Sequence, residues 1–530
     1  MKKYLTELIN SNFFFLSLVV FAFVLPLSIA LVSIAGALVL LTAIIEDSWK
    51  AKIKRIKQRK ELLLIPLIFL LYLLSTLLTL KHDKSFYDVQ KTLFYLIFPL
   101  AFSMGKDINN RQKRFVFYAF TASIFVAIVI ALFRWKFIVA DTGNFSIHNI
   151  SLISHIRFSF QLILIVWFLI LFLIANGKGL SIKEKTIILI LVGIFLGYMM
   201  FQQSLTGIVA FAASCLVFLL FRLPRINTEW KIPLTVVLLL LLFVPVIYVN
   251  KVVKNFYAIE NINPEDIDKE TAKGNLYSHN FSEKAVENGH YVYLYVCEDE
   301  MREEWNKVST FKYDSIGTNG YPVSATLLRY LTSKGLRKDA QGVQALSSAD
   351  IANVEAGMAN VIYQNKYSLY PRIYQTVWEY YVYTQTGNSN NQSFSQRIEF
   401  AKAAFTIINK NWLFGVGTGK WKTAFADAFK ENHAQLAESH YASSHNQYLN
   451  YMVKFGIVGF LFIMFVLIYP VVKTKRYRDP LFLLFLAFMF FANFADSNLE
   501  SHMGSSFFFF FYCFFLTGPL NYLSFSEDRR

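Results

Sequence analysis

The sequence has 530 residues, of which 55% are hydrophobic, and its mean hydropathy is +0.40. This composition excludes an ordinary soluble enzyme, and several runs of about 18 or more apolar residues predict a polytopic membrane protein. The net charge of +16 does not indicate nucleic acid, because the polar stretch 251–446 holds 20 Lys/Arg against 21 Asp/Glu. The excess positive charge lies in short loops between apolar runs, as is typical of cytoplasmic loops.

The apolar runs predict about twelve transmembrane helices in an all-α chain. The first run, residues 13–45, is too long for one span, and we interpret it as two short helices with a turn near residues 26–30. The basic segment 50–60 that follows predicts a cytoplasmic loop, which also places the N-terminus in the cytoplasm. The other predicted helices are 62–80, 92–104, 115–133, 158–175, 186–201, 205–221, 232–249, 448–472, 481–494 and 507–523.

These helices divide the chain into three predicted parts. Residues 1–249 hold nine helices, and residues 448–530 hold three, so that both termini lie in the cytoplasm. Residues 250–447 then lie on the outer side. Because several of their segments alternate apolar and polar residues, we expect a compact and mainly helical domain there.

Two polar residues in the second half of this outer region stand out. Arg397 begins an amphipathic helix that ends in a turn containing Gly415, Gly417 and Gly419, and His445 comes just before the tenth predicted transmembrane helix. An arginine is a bidentate donor for phosphate, and a histidine can take a proton from an attacking hydroxyl. At a membrane edge this pair suits chemistry on a lipid-linked phosphate. The structural alternatives are a solvated arginine and a solvated interfacial histidine.

Arg157 begins the sixth predicted span on the outer face, against the usual bias for cytoplasmic positive charge. Snorkelling of its side chain to lipid phosphates is one interpretation. A second cation for the same substrate phosphate is the other. Asp496 and Glu500 in the last outer loop either pair with such arginines or serve at helix ends.

Three patterns resemble metal or nucleotide sites, and we interpret each of them otherwise. The segment GVGTGK at 415–420 lacks the spacing of a phosphate-binding P-loop. The gaps between the histidines in 433–445 do not match a known metal site. The D-x-D at 266–268 lies in an acidic cluster and is interpreted as a solvated turn. We therefore expect no metal and no cofactor.

Together these residues resemble the O-antigen ligase and polymerase superfamily of Gram-negative bacteria. Its signature is a histidine followed by Asn, Ser or Gln, nine residues and Gly-x-x-Gly, which here is His445-Asn446 with Gly456 and Gly459. Upstream, the family has an arginine before a helix that ends in a Gly-x-Gly-x-Gly turn. Here Arg397 corresponds to that arginine, and Gly415, Gly417 and Gly419 correspond to the turn. A large periplasmic loop before the third-last helix is also shared.

The resemblance implies a GT-C-like, metal-independent and inverting glycosyltransferase of the bacterial inner membrane. Such an enzyme moves a glycan from undecaprenyl pyrophosphate to an acceptor hydroxyl, as on lipid A-core, at the periplasmic face. By this analogy Arg397 and Arg157 hold the pyrophosphate, and His445 helps to deprotonate the acceptor. The partners implied are this donor, a glycan or protein acceptor and the lipid bilayer, with no nucleic acid.

Other functions stay open at this point. An O-antigen or exopolysaccharide polymerase and a protein O-oligosaccharyltransferase have the same motif. A twelve-span transporter fits the helix count, but the predicted spans carry almost no buried charge, which disfavours transport. The middle of the outer region, including the basic stretch 325–338, is absent from the family's common core. It is either an ordinary folded surface or a site that recognises the acceptor or a partner.

Overall fold

The computed structural model describes residues 12–79, 85–139, 150–222, 228–318, 320–365 and 368–524. The two termini that we predict to be cytoplasmic, residues 1–11 and 525–530, lie outside the described residues. The chain forms two compact units. The first comprises Met1–Leu238 and Asn388–Arg530, and the second is Leu239–Gly387.

The regular secondary structure is almost entirely helical. The helices up to the start of the second unit are α1 (Phe13–Val24), α2 (Ile29–Ile45), α3 (Trp49–Gln58), α4 (Pro66–Thr79), α5 (Ser85–Lys91), α6 (Phe94–Met104), α7 (Asn110–Arg134), α8 (His155–Asn176), α9 (Ile182–Phe201), α10 (Leu205–Arg222) and α11 (Thr228–Tyr257). The remaining elements are β1 (Val286–Glu287), β2 (His290–Tyr291), α12 (Glu298–Val308), α13 (Val323–Ser333), α14 (Ala340–Gln344), α15 (Ser348–Glu355), α16 (Tyr370–Thr386), α17 (Ser393–Lys410), α18 (Trp421–Glu431), α19 (Gln447–Lys473), α20 (Pro480–Ala495) and α21 (His502–Leu516).

Each of the eleven predicted apolar runs contains a helix, and the first run is divided between α1 and α2 as predicted. Among the described residues, six helices are long and apolar enough to cross a membrane, or seven if α2 and α3, which are bent by 112°, count as one span. These helices make the chain an all-α multi-pass membrane protein. The number of twelve crossings stays a prediction, since several apolar helices are shorter than a full span.

Helix α21 forms the centre of the bundle. All of its residues from Met503 to Leu516 are buried. Its rings contact those of other helices, with 4.4 Å between the centroids of Phe510 and Phe21 and 4.0 Å between those of Phe509 and Tyr95. Each such aromatic pair contributes about 0.5–1.5 kcal/mol beyond its buried area. The loop that precedes α21 is therefore attached to a tightly packed, buried helix.

Helix α19 is broken at Gly456, where φ is 62° and ψ is −169°. The break removes helical partners from nearby backbone N–H and C=O groups, and unpaired groups of this kind are costly in an apolar environment. The glycine-rich turn after α17 satisfies them with four backbone hydrogen bonds of 2.8–3.2 Å, donor first: Val416 to Val453, Gly417 to Lys454, Ile457 to Trp412 and Val458 to Leu413.

This contact requires glycine on both sides. A Cβ at Gly456 would lie 2.3 Å from the backbone of Leu413, and a Cβ at Gly415 would lie 2.5 Å from the backbone of Lys454. Both glycines also have positive φ, which disfavours any residue with a Cβ. Close approach of the two backbones thus accounts for Gly415 and Gly456.

The second unit is mainly helical around a small core of its own. Residues 286–291 add one two-residue antiparallel pair, β1 and β2. The cations of the stretch 325–338 include three that are paired with carboxylates at 2.5–2.6 Å: Arg329 with Glu287, Lys334 with Asp350 and Arg337 with Asp268. The stretch is therefore largely neutralised by its neighbours, and its interpretation as a basic recognition surface loses its main support.

The substitution Gly456→Ala is expected to lower the melting temperature of the purified, detergent-solubilised protein. Its Cβ collides with backbone atoms, and a positive φ costs an L-residue about 1–2 kcal/mol. Thermal unfolding followed by intrinsic fluorescence measures the effect. The control is Gly197→Ala in α9, where a Cβ would meet no atom within 4 Å, so its melting temperature should stay equal or rise. An unchanged melting temperature for Gly456→Ala would contradict the constraint.

Candidate functional site

Three side chains from distant parts of the chain meet in the first unit. Arg157 comes from the first turn of α8, His445 from the residue pair before α19, and Asp496 from the residue after α20. Arg157 Nη2 lies 2.7 Å from Asp496 Oδ2, and His445 Nδ1 lies 3.5 Å from Asp496 Oδ1. Asp496 is thus the carboxylate that joins the two predicted site residues.

The local backbone fixes His445 at this position. Its φ of +48° lies in the left-handed region that non-glycine residues seldom adopt, and such conformations often occur at functional sites. The following residue, Asn446, caps α19 by accepting hydrogen bonds from the N–H groups of Tyr448 and Leu449 at 3.0 and 3.1 Å. Asparagine and serine are preferred caps, which gives the second position of the motif a structural role.

The orientation of the His445 ring determines what it can do. Because Nδ1 faces the Asp496 carboxylate, a neutral ring would carry its proton there and leave Nε2 as the acceptor. The His445 side chain is 42% exposed, so solvent or a substrate can reach the ring. A histidine oriented in this way by a carboxylate can act as a general base.

Asp496 remains charged in this arrangement. Burial opposes its ionisation, but the contact with His445 and the positive charge of Arg157 outweigh burial and hold the pKa of Asp496 below its usual value. The carboxylate can therefore stabilise positive charge on both neighbours at neutral pH.

Arg157 is more buried than a snorkelling side chain would be, with 21% of the side chain exposed. Besides its pair with Asp496, it donates from Nη1 to Ser154 Oγ at 3.3 Å. Its Nε is buried and has no hydrogen-bond partner in the described part of the chain. The structure thus brings Arg157 to the site, while its binding of a phosphate stays a prediction.

Unlike Arg157 and His445, Arg397 forms no ion pair with Asp496 among the residues that the structure describes. It is exposed in the second turn of α17 and forms no hydrogen bond or ion pair within the described ranges. Phe400, which follows it by three residues and so shares its helix face, contacts the His445 ring with 5.5 Å between centroids. Arg397 is therefore about one helical turn from a residue that touches His445.

A buried polar network beneath this site was missed from the sequence. Glu500 lies 2.8 Å from Lys454 Nζ and accepts a hydrogen bond of 2.5 Å from the Tyr72 hydroxyl. Lys454 is 4% exposed, so the expectation of almost no buried charge in the spans is wrong here. The signal was present, because Gln447, Asn450 and Lys454 recur at i, i+3 and i+7 on one face of an apolar helix.

The other polar patterns noted in the sequence are the histidines of 433–445 and the D-x-D at 266–268, and neither is arranged as a metal site. Within the described ranges, no group of three or more His, Cys, Asp and Glu side chains is placed to hold a metal ion. His440 Nδ1 lies 3.2 Å from Asn390 Oδ1 rather than near His445. In the D-x-D pattern, Asp268 pairs with Arg337 at 2.5 Å.

Residues 351–464 match a family model described as O-antigen ligase. This part of the chain is therefore similar to the O-antigen ligase family. The match includes Arg397, the glycine-rich turn, His445 and both glycines of α19, which confirms the resemblance inferred from those residues. Arg157 and Asp496 lie outside the matched residues. No curated protein matches the chain. The family supports a membrane enzyme that transfers glycans.

The substitution Asp496→Asn is expected to lower the melting temperature at pH 7, because Arg157 loses its charged partner inside the protein. The native pKa of Asp496 is depressed, so its stabilising contribution is complete above the ordinary value of about 3.9. It is lost as the pH falls through the lower native value. Thermal unfolding of both proteins from pH 7 to pH 3 should therefore show a difference that shrinks with acidification.

The control for this pH series is Asp427→Asn, since Asp427 is exposed in α18. It should unfold like the wild type at every pH. A difference for Asp496→Asn that persists undiminished at pH 3 would show that its charge is not the stabilising feature.

Proposed function

We propose that this protein is an O-antigen ligase-like glycosyltransferase acting at the periplasmic face of the bacterial inner membrane. In this proposal it moves a glycan from undecaprenyl pyrophosphate to an acceptor hydroxyl, with lipid A-core as the leading acceptor. The observation that carries the proposal is the contact of His445 and Arg157 with one carboxylate, Asp496. A general base beside a cation is what an inverting displacement of a pyrophosphate requires.

The proposed reaction is a single displacement at the anomeric carbon. His445 Nε2 takes the proton of the acceptor hydroxyl while its oxygen forms the new bond to that carbon. The bond from the anomeric carbon to the pyrophosphate oxygen breaks, and the leaving group departs with both electrons. Asp496 stabilises the imidazolium that results, as a carboxylate does in other histidine-carboxylate pairs. Attack from the face opposite the leaving group inverts the anomeric centre.

The two arginines contribute unequally to binding of the pyrophosphate. Arg157 shares its charge with Asp496 at 2.7 Å, so only part of it is available to a second anion. Arg397 has no such partner among the residues that the structure describes, and its guanidinium offers an undivided charge with a planar fork of donors. We therefore assign Arg397 the larger part in holding the leaving group and stabilising the charge that develops on it.

The surroundings of the site suit a lipid-linked donor. Trp412, Leu413 and Phe414 are exposed where the turn meets the break in α19, as expected for side chains that enter the membrane interface. An apolar cavity of about 460 Å³ begins two residues after His445, at Gln447 and Tyr448. Its walls are aliphatic and aromatic side chains of α10, α19, α20 and α21, which is the lining that an isoprenoid chain needs.

Deletion of this gene from its native host is expected to leave lipid A-core without polymer on a glycolipid gel, while polymer accumulates on undecaprenyl pyrophosphate. Restoring the wild-type gene should return the ladder. A core that carries one repeat without a ladder would assign the polymerase function instead. An unchanged gel would reject the lipid A-core acceptor and direct the search to glycoproteins and exopolysaccharide.

The substitution His445→Ala is expected to lower the rate of transfer by the purified enzyme about 10²–10⁴-fold, which is the usual contribution of a general base. Transfer of a labelled lipid-linked glycan to acceptor measures this rate. His433→Ala is the matched control, because His433 is also a histidine with positive φ, is exposed and lies in the same segment. Wild-type transfer by His445→Ala would eliminate His445 as the base.

A further inference from the structure

We infer that Lys454 and Glu500 are positioning residues for the site above them. Their buried ion pair anchors the loop that carries Asp496 to helix α19, and this anchor sets the orientation of Asp496 toward His445. The inference rests on the proposed function, because it assigns these two residues a part in the same site. Neither residue contacts His445 or Asp496 in the hydrogen bonds and ion pairs of the described chain, so their effect is indirect.

Glu500 is held from several directions. Oε1 lies 2.8 Å from Lys454 Nζ and accepts from the Tyr72 hydroxyl at 2.5 Å, and Oε2 accepts from Asn450 Nδ2 at 3.3 Å. The Lys454 ammonium also lies 4.9 Å from the centroid of the Trp421 ring, a cation–π distance. Because a buried charge without its partner is strongly unfavourable, these contacts define the position of the loop closely.

A second link runs directly between the neighbours of the two site residues. Asn450 Oδ1 accepts a hydrogen bond of 2.7 Å from Ser444 Oγ, and Asn450 Nδ2 donates one of 2.7 Å to Ser497 Oγ. Ser444 precedes His445, and Ser497 follows Asp496. One buried side chain of α19 therefore ties together the two loops whose residues face each other in the site.

Lys454 adds a connection that Asn450 does not provide. Its side chain pairs with Glu500, four residues after Asp496, while its backbone carbonyl accepts from Gly417 of the glycine-rich turn at 2.9 Å. The last outer loop, the broken helix and the turn therefore meet at this one residue. Loss of its charge should free the loop without removing any group that reacts.

The experiment compares full-length Lys454→Met with the wild type in lipid nanodiscs. Hydrogen exchange of the peptide covering residues 496–501, followed by mass spectrometry, is expected to become faster. Lys473→Met is the matched control, because Lys473 is exposed at the far end of the same helix, and it should leave this exchange unchanged. Exchange that is unchanged in Lys454→Met, or equally faster in Lys473→Met, would overturn the inference.

The transfer assay gives the second readout. The value of kcat for Lys454→Met is expected to fall about 10–100-fold, the cost of a base misplaced by about 1 Å, with little change in KM for the acceptor. The charge exchange K454E with E500K should recover part of this loss, which a purely steric role of Lys454 would not allow. A failure of the exchanged pair to improve on Lys454→Met would reject the ion pair as the positioning element. Wild-type protein that transfers no glycan would reject the proposed function, while the hydrogen exchange still decides the inference.

Discussion

The backbone break at Gly456 is the constraint on which the rest of the site depends. In a membrane environment the polar groups released by such a break have no water to bond, so another segment of the chain must supply partners. The turn at residues 412–417 supplies them through four backbone hydrogen bonds. Two motif segments that are about forty residues apart in the sequence are therefore coupled through their backbones. This coupling holds the end of α17 against α19, and His445 lies two residues before the start of α19.

Electrostatics then assigns different tasks to two carboxylates of one loop. Asp496 faces a histidine that is 42% exposed, whereas Glu500 faces a lysine that is 4% exposed. Because each acid has a cation of its own, the loop carries no uncompensated buried charge. In the proposed reaction the His445 ring beside Asp496 accepts and releases a proton. The pair of Lys454 and Glu500 is shielded from solvent. It suits a structural role that holds the loop in place beneath His445 and Asp496.

Local sequence patterns predicted the parts of the structure that depend on local chemistry. Each predicted apolar run contains a helix, and the motif around His445 with the glycine-rich turn indicated the resemblance that the family model confirms. Arg157 stood out because an outward arginine breaks a charge rule. Asp496 and Glu500 were possible partners of such arginines, but the sequence could not decide between this pairing and a role at helix ends. Asp496 is 339 positions from Arg157, and pairing across such a separation leaves no periodic signal. The same limit hid the pairs of Lys454 with Glu500 and of Arg337 with Asp268.

The geometry of the site explains why this family signature is compatible with several acceptors. The residues of the candidate site all belong to the first unit. In the proposed reaction they act on the donor phosphate and on one acceptor proton. A histidine base meets similar demands from the hydroxyl of a sugar or of a serine, because both hydroxyls are weak acids. The chemistry therefore fixes which bond of the donor breaks and leaves the acceptor undetermined. Selection between lipid A-core, a growing glycan and a protein must come from surfaces that bring only one of them within reach of Nε2.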